Sequence, residues 1–275
     1  MQTDAARLCC TQGLQAAFLA AAGYTGIKKV FELQHGGFRS VFGEANSPDL
    51  SLISAGLGER WEIEQIITKT YAVMGGIHAP LDALFEIASK RKLSPDLIDH
   101  IEVDLPEAAY PHGGWRPERS LSPVAAQMNV ASALSVAILD SAAMVRQFSP
   151  MRLASEDVWT LIPRINSRHE TLFDEGGPTA QGNVRVTAHF TDGARLDSFV
   201  FAPKAVTAPM SEDRVVTKFH NLTRGIVEPG HQRAIIRAVL DLEGLRSISE
   251  LINLVAPIVG GAFDEHPLLS QGEQI

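Results

Sequence analysis

The sequence has little cysteine, and its two cysteines, Cys9 and Cys10, are adjacent. Adjacent cysteines supply neither a disulfide framework nor a four-ligand metal site, which favours a reducing compartment. No apolar run approaches the roughly 18 residues of a membrane-spanning helix. The apolar stretch 14–22 resembles part of a signal peptide, but Asp4 offsets Arg7 ahead of it, which favours a buried alanine-rich helix. We therefore expect a cytoplasmic protein, with a mitochondrial location as the alternative, and no membrane partner.

The sequence is also short of positive charge. Its 24 lysine and arginine residues against 32 aspartate and glutamate residues give a formal net charge of −8. A field of this sign repels the phosphate backbone of nucleic acids, so we expect no nucleic-acid partner. The same field repels small anionic substrates. A site for such a substrate would therefore need its own local group of cations.

Familiar signatures of nucleotide, zinc-protease and hydrolase chemistry are missing. The sequence has no Walker loop, no G-x-G-x-x-G after a predicted strand, no H-E-x-x-H and no G-x-S-x-G. Apart from His78 and His112, the histidines show no metal-ligand spacing and are interpreted as structural. They are His35, His100, His169, His189, His220, His231 and His266. The sequence thus predicts no metal site.

The predicted elements follow the order helical, mixed, helical. Helix-forming residues fill 5–22, and a shorter helix is predicted at 27–33. The predicted central elements are a helix at 78–90, a helix start at 94–96, a strand at 101–105, a helix at 123–139 and a hairpin of strands at 184–190 and 195–201. Helices return at 211–220, 231–242 and 247–259. This order predicts an α+β fold, in which both chain ends build a mostly helical domain around an inserted α+β domain.

Two loops contain most of the side chains suited to chemistry. The first, 69–78, begins with Lys69 and Tyr71 and ends in Gly-Gly-Ile before His78, so the backbone can approach a ligand where a helix opens. The second, 110–119, has another Gly-Gly pair between His112 and Arg116. Lysine, histidine and arginine are donors that a carboxylate needs, so the two loops together predict an anion site. Taken singly, each feature also fits a helix cap, a turn or a solvated loop charge.

On these segments the chain resembles the MmgE/PrpD family, and within it the cis-aconitate decarboxylase branch more than the 2-methylcitrate dehydratase branch. The matching segments, in family order, are 23–32, 36–38, 69–78, 112–118 and 126–129. The resemblance implies a helical domain with an inserted α+β lid. It divides this chain into a remnant of the helical domain at 1–66, the lid at 67–208 and returning helices at 209–275. It also implies that the chain is truncated at its N-terminal end.

The same resemblance implies a cofactor-independent lyase of specialised metabolism that acts as a homodimer. Its substrate would be cis-aconitate or an alkylated tricarboxylate of that type, decarboxylated with a double-bond shift to an itaconate-type product. The catalytic residues implied are Lys69, Tyr71 and His78, with His112 and Arg116 binding the substrate and no metal. Met74 stands where some relatives have a further histidine.

Two alternatives to decarboxylation stay open. The first is dehydration of a citrate-like or 2-methylcitrate-like hydroxy acid, because the site groups of the two reactions overlap. The second is a non-catalytic, truncated paralogue that pairs with a full-length relative. The missing helical part favours this second alternative, since its loss would leave an apolar face that needs a partner.

Overall fold

A computed structural model describes residues 2–31, 33, 35–43, 49–175, 182–208 and 210–256, with the backbone alone at 2–7, 50, 53, 62 and 65. The chain divides into two compact units, Met1–Ile66 and Ile67–Ile275. The finer division into helical remnant, lid and returning helices stays a prediction. Among the described residues, no helix has both the length and the hydropathy needed to cross a membrane.

The first unit is built from one long helix and several short turns. Helix α1 spans Gln2–Ala21, and Gly23 follows it with a φ of +89°, a left-handed conformation suited to a helix end. Helix α2 spans Phe38–Phe42. The helix predicted at 27–33 is wrong, because the described residues there form turns in which Lys29 takes a φ of +56°. A left-handed residue interrupts the hydrogen-bond ladder of an α-helix.

Burial of α1, expected from its sequence, is not found in the single chain. Every described side chain of the helix, from Leu8 onward, is exposed, including 62% of Leu14 and 72% of Phe18. Small and apolar residues favour close packing only where a second element covers them. None of the described residues of the first unit does so, and its cover in an assembly stays a prediction.

A four-stranded sheet forms the centre of the second unit. Its strands are β1 (Ile98–Leu105), β2 (Ile165–His169), β3 (Val184–Phe190) and β4 (Arg195–Val200). The spatial order is β2-β1-β3-β4, with β1 parallel to β2 and the other neighbours antiparallel. The β3–β4 hairpin is the predicted one, and Gly193 in its turn has a φ of +83°. Strand β2 was not predicted from the sequence. Ile165 is the one buried residue of this strand, so the strand has no alternation of apolar and polar residues.

Two helices pack on the sheet. Helix α3 spans His78–Lys90, with the predicted bounds, and packs against β3 and β4. Helix α6 spans Val130–Asp140 and packs against α3 and β2. The apolar side chains of alternate strand residues, such as Ile101 and Val186, are completely buried in the core with those of the two helices. The fold is therefore α+β, as predicted.

The helix predicted at 123–139 is two helices, α5 (Pro123–Gln127) and α6. The predicted cap of α5 is present, since the Ser122 hydroxyl accepts a hydrogen bond from the Ala125 N–H at 3.3 Å. Asn129 causes the break, because its side-chain oxygen accepts from the Ser132 N–H at 2.9 Å and so starts a new helix. The helix start predicted at 94–96 is also wrong: these residues form a turn that leads directly into β1.

The remaining described helices surround the core or follow it. They are α4 (Tyr110–Gly113), α7 (Pro150–Leu153), α8 (Glu156–Leu161), α9 (Lys204–Thr207), α10 (Glu212–Thr223), α11 (Pro229–Leu240) and α12 (Ile248–Val255). Helices α10 to α12 confirm the return to helical structure predicted after the sheet. The last residues of the predicted helix, 257–259, lie outside the described part of the chain.

Candidate active site

The first glycine loop is held by backbone contacts as it enters α3. The Met74 N–H donates to the Gln127 carbonyl at 2.9 Å, and the Ile77 N–H returns to the Met74 carbonyl at 3.0 Å. A short 3₁₀ turn at Gly75–Ile77 then places His78 as the first residue of α3. The loop and the helix therefore fix the position of His78 relative to Tyr71, whose ring centroid lies 5.4 Å from that of the histidine.

Tyr71 forms a hydrogen bond with a buried carboxylate. Its hydroxyl donates to Asp82 Oδ1 at 2.9 Å, and the Lys204 backbone N–H donates to the other carboxylate oxygen at 2.8 Å. Asp82 is only 2% exposed. Burial, and then the negative charge and hydrogen bond of Asp82, raise the pKa of Tyr71 well above its usual value. Tyr71 is thus a neutral phenol whose proton is directed at Asp82.

His78 is buried next to positive charge. Burial, and then the positive charges of Lys69 and Lys218, lower the pKa of His78 to about 4, against an opposing effect of Asp82. The ring is therefore neutral near pH 7. Its Nε2 atom is inaccessible and has no hydrogen-bond partner within the described structure. An unpaired buried nitrogen is costly, and such atoms in folded proteins are often explained by a bound water, ion or substrate.

Two lysines contribute local positive charge at this site of an acidic chain. Lys69 Nζ donates to the Val73 carbonyl at 3.0 Å, and Lys218 Nζ, from α10, donates to the Lys69 carbonyl. Burial, and then the charge of Lys69, lower the pKa of the Lys218 ammonium. The two ammonium groups thus interact with each other as well as with His78. A bound carboxylate would relieve their mutual repulsion.

The second glycine loop packs against the first through small residues. A Cβ atom on Gly76 would lie 3.2 Å from the Ala109 side chain, and one on Gly113 would lie 3.2 Å from the end of Met74. Both glycines thus allow a close approach that a larger residue would hinder. The two loops are neighbours, as the anion-site hypothesis requires.

The second loop places its two candidate substrate-binding side chains at the surface. His112 and Arg116 are exposed, and Arg116 lines a cavity of about 440 Å³ together with Trp115 and Trp159. Within the described residues, no hydrogen bond or ion pair joins either of them to Lys69, Tyr71 or His78. Their role in substrate binding stays a prediction.

Arg119, which the second loop also offers, has a partner on the protein. Its guanidinium forms a bidentate ion pair with Glu156, with distances of 2.6 and 2.7 Å. The plainer interpretation of this arginine as a loop charge is the better one.

Sequence reasoning missed Asp82 and Lys218. Asp82 lies one helical turn after His78, within the otherwise apolar stretch 79–85, and a carboxylate in such a stretch signals a buried polar role. Lys218 had no comparable signal, because only the packing of α10 brings it to the first loop.

Comparison with known proteins identifies the family of the chain. Residues 71–244 match the MmgE/PrpD C-terminal domain. The chain belongs to the MmgE/PrpD family. The matched stretch begins at Tyr71 and includes His78, Asp82 and Lys218, so the cluster lies almost entirely within the family domain, with Lys69 just before it.

Three relatives of this MmgE/PrpD chain are similar along most of its length. A cis-aconitate decarboxylase-like protein of Aspergillus oryzae, called oryM, is 32% identical over 257 residues, which is 89% of this chain. Two cis-aconitate decarboxylases of Aspergillus terreus, one from strain NIH 2624, are 33% and 31% identical over 88% of the chain. The chain spans about half the length of these relatives, since the alignments cover 52% of each.

Proposed function

We propose that this chain takes part in the decarboxylation of cis-aconitate or an alkylated cis-aconitate-type tricarboxylate, to an itaconate-type product. The observation that carries the proposal is the similarity, over nearly nine-tenths of the chain, to relatives named as cis-aconitate decarboxylases. The cluster of Lys69, Lys218, Tyr71 and His78 supports it, because it combines positive charge with a buried titratable ring.

The reaction needs one proton and no redox partner. The bond between the departing carboxylate and its CH₂ carbon breaks, and its electron pair forms a new double bond with the neighbouring carbon. The electrons of the original double bond then take a proton at its far carbon. The trianion and one proton thus give CO₂ and a dianion. The protein must hold the remaining carboxylates, keep water from the departing one and place the proton.

Lys69 and Lys218 would hold substrate carboxylates. Both ammonium groups lie close enough to His78 to lower its pKa in the free protein. A bound tricarboxylate places negative charge beside the ring and shifts that pKa upward, so substrate binding and proton uptake by His78 favour each other. In this way a histidine that is neutral in the free protein becomes a proton donor only when the substrate is present.

Tyr71 would bind the substrate rather than supply its proton. Its raised pKa makes it a weak acid, but its hydroxyl is a neutral donor that can exchange its bond to Asp82 for one to the substrate. Asp82 is then a positioning residue, because it orients the phenol from a buried place and is itself held by the Lys204 N–H.

The exposed surface of the first unit favours a second candidate function, which is pairing with another protein without catalysis. The exposed apolar side chains of α1 would suit a non-catalytic chain that pairs with a full-length relative. The decarboxylase and the pairing chain differ in one measurable property, which is activity of the purified chain alone.

Product analysis by ¹³C NMR tests the proposal. The purified full chain is incubated with ¹³C-labelled cis-aconitate, and separately with citrate and 2-methylcitrate. We expect labelled CO₂ and an itaconate-type product from the first substrate alone. Loss of water from the hydroxy acids without CO₂ release would indicate a dehydratase. A folded chain that is inactive on all three but alters the activity of a full-length relative would overturn the proposal in favour of the pairing chain.

A further inference from the structure

Three metal-ligating side chains meet on the sheet, away from the candidate active site. One ring nitrogen each of His100 and His189 and a carboxylate oxygen of Glu102 lie within 4.8 Å of one another. From this cluster we propose a Zn²⁺-type site, in which the two imidazoles and the carboxylate bind one divalent transition-metal ion and water completes the coordination.

Strand pairing explains how residues far apart in the sequence come together. His100 of β1 lies directly opposite His189 of β3, and Glu102 lies opposite Thr187, two residues before His189. Residues two apart on a strand share one face of the sheet, so all three side chains project on the same side. The intervening residues, Ile101 and Ala188, are buried on the other side. No spacing rule for consecutive ligands would detect such a set.

The distances suit coordination better than a direct hydrogen bond. His189 Nε2 lies 3.5 Å from Glu102 Oε2, which is long for a hydrogen bond between an imidazole and a carboxylate. Two ligand atoms bound to a tetrahedral zinc ion at about 2.0–2.2 Å lie about 3.3–3.6 Å apart. The His189–Glu102 separation is therefore already that of two ligands on one ion.

His189 presents an unpaired nitrogen to this space. Its Nε2 is inaccessible to solvent and has no hydrogen-bond partner in the described structure, although the side chain as a whole is 27% exposed. A metal ion would satisfy that nitrogen. The rings of His100 and His189 lie face to face, with centroids 4.1 Å apart, so the two imidazoles are already neighbours and a turn of one ring would direct a nitrogen of each at the same ion.

Asp99 adds a carboxylate behind one of the two rings. Its Oδ2 lies 2.8 Å from His100 Nδ1. A carboxylate in this position orients a metal-binding histidine and increases its basicity, and it leaves Nε2 for the ion. Two imidazoles with a carboxylate suit Zn²⁺ and its transition-metal neighbours, whereas Mg²⁺ and Ca²⁺ prefer all-oxygen sites.

Isothermal titration of the metal-free, tag-free full chain with Zn²⁺ tests the proposal. Cys9 and Cys10 are exposed thiols, so the titration uses a chain in which both are changed to serine. We expect about one equivalent of Zn²⁺ to bind, and Mg²⁺ not to compete. His189→Ala and Glu102→Gln should each weaken binding at least about tenfold, and Asp99→Asn by a similar factor. His35→Ala, a change at an exposed histidine of the first unit, should leave it unchanged.

Two further measurements separate a lost site from a lost fold. Circular dichroism must match the wild type for each variant, and Glu102→Gln is nearly isosteric, so it serves if His189→Ala fails to fold. Co²⁺ bound in place of Zn²⁺ should give visible absorption that disappears in the Glu102→Gln chain. Absence of Zn²⁺ uptake at micromolar concentration, or equal affinity in the wild type and Glu102→Gln, would overturn the proposal.

Discussion

His78 has a buried, neutral ring close to two ammonium groups. Protonation of this ring is unfavourable in the folded chain, so the free energy of unfolding depends on pH. The pKa of His78 falls from an ordinary value near 6.5 to about 4 on folding. The unfolded chain therefore binds a proton between these values that the folded chain does not. Stability from the neutral ring is complete above about pH 6.5 and is lost as the pH falls toward 4.

Urea unfolding at pH 7.5 and pH 5 measures this effect. We expect the drop in unfolding free energy between the two pH values to be about 2 kcal/mol larger for the wild type than for His78→Gln, which has no ring to protonate. The carboxylates of the chain titrate equally in both proteins and cancel in the comparison. Equal drops in the two proteins would show that burial does not perturb this histidine.

Lys69 makes the sharpest prediction for activity at the residue scale. If Lys69 binds a substrate carboxylate whose charge changes during the reaction, Lys69→Ala should lower kcat/KM for a cis-aconitate-type substrate at least about 10²-fold. KM should rise as kcat falls, since the same charge acts in the ground state. Lys92→Ala, which removes an exposed lysine after α3, is the matched control. Wild-type rates in Lys69→Ala would remove this residue from the site.

The lysine, tyrosine and histidine of the candidate site could be selected from sequence because they flank a glycine pair at a helix start. The groups that shift the pKa values of these residues could not be selected in this way. The pKa of Tyr71 depends on Asp82, and the pKa of His78 depends on Lys218 as well as Lys69. These partners come from a helix interior and from α10, so only tertiary packing identifies them.

At the scale of elements, patterns that depend on neighbouring residues were predictable, and those that depend on distant partners were not. Helix α3 and the β3–β4 hairpin matched because each has an apolar periodicity and a local turn or start signal. Strand β2 was missed because its pairing with β1 replaces the missing apolar pattern. Asn129 is an exception, because it divides α5 from α6 through a local cap on the Ser132 N–H that the prediction of one continuous helix overlooked.

Asn129 also makes the clearest prediction about stability. It is completely buried, caps α6 through the Ser132 N–H and donates to the Trp115 carbonyl at 2.6 Å. Asn129→Ala would remove both bonds and leave buried backbone groups unpaired, so we expect a loss of about 2–4 kcal/mol. Ser122→Ala removes the exposed cap of α5 and should cost only about 0.5–1 kcal/mol. Urea unfolding of the two variants compares them, and equal losses would contradict the linking role of Asn129.

At the scale of the whole molecule, the two units differ in how their apolar residues are buried. The second unit has a continuous core beneath the sheet, whereas large apolar side chains of the first unit are exposed, among them 72% of Phe18 and 74% of Phe42. The ring of Phe38 contacts those of Phe31 and Phe42, with centroid distances of 5.8 and 5.2 Å respectively. Exposed apolar groups of this density are typical of interaction surfaces.

The homodimer that the family resemblance implies can be tested through these residues. If the first unit forms the contact, the chain should associate in a concentration-dependent way in sedimentation experiments, and Phe42→Glu should weaken association at least about tenfold by burying a charge in the interface. Met151→Glu changes a side chain of the second unit that is 77% exposed, and it should leave association unchanged. Both variants add the same charge to a chain of net charge −8, so general repulsion is matched between them. A chain that is monomeric at every concentration would contradict the dimer. Equal association of the two variants would place the dimer contact away from Phe42, because a charge is tolerated only where the side chain stays in water.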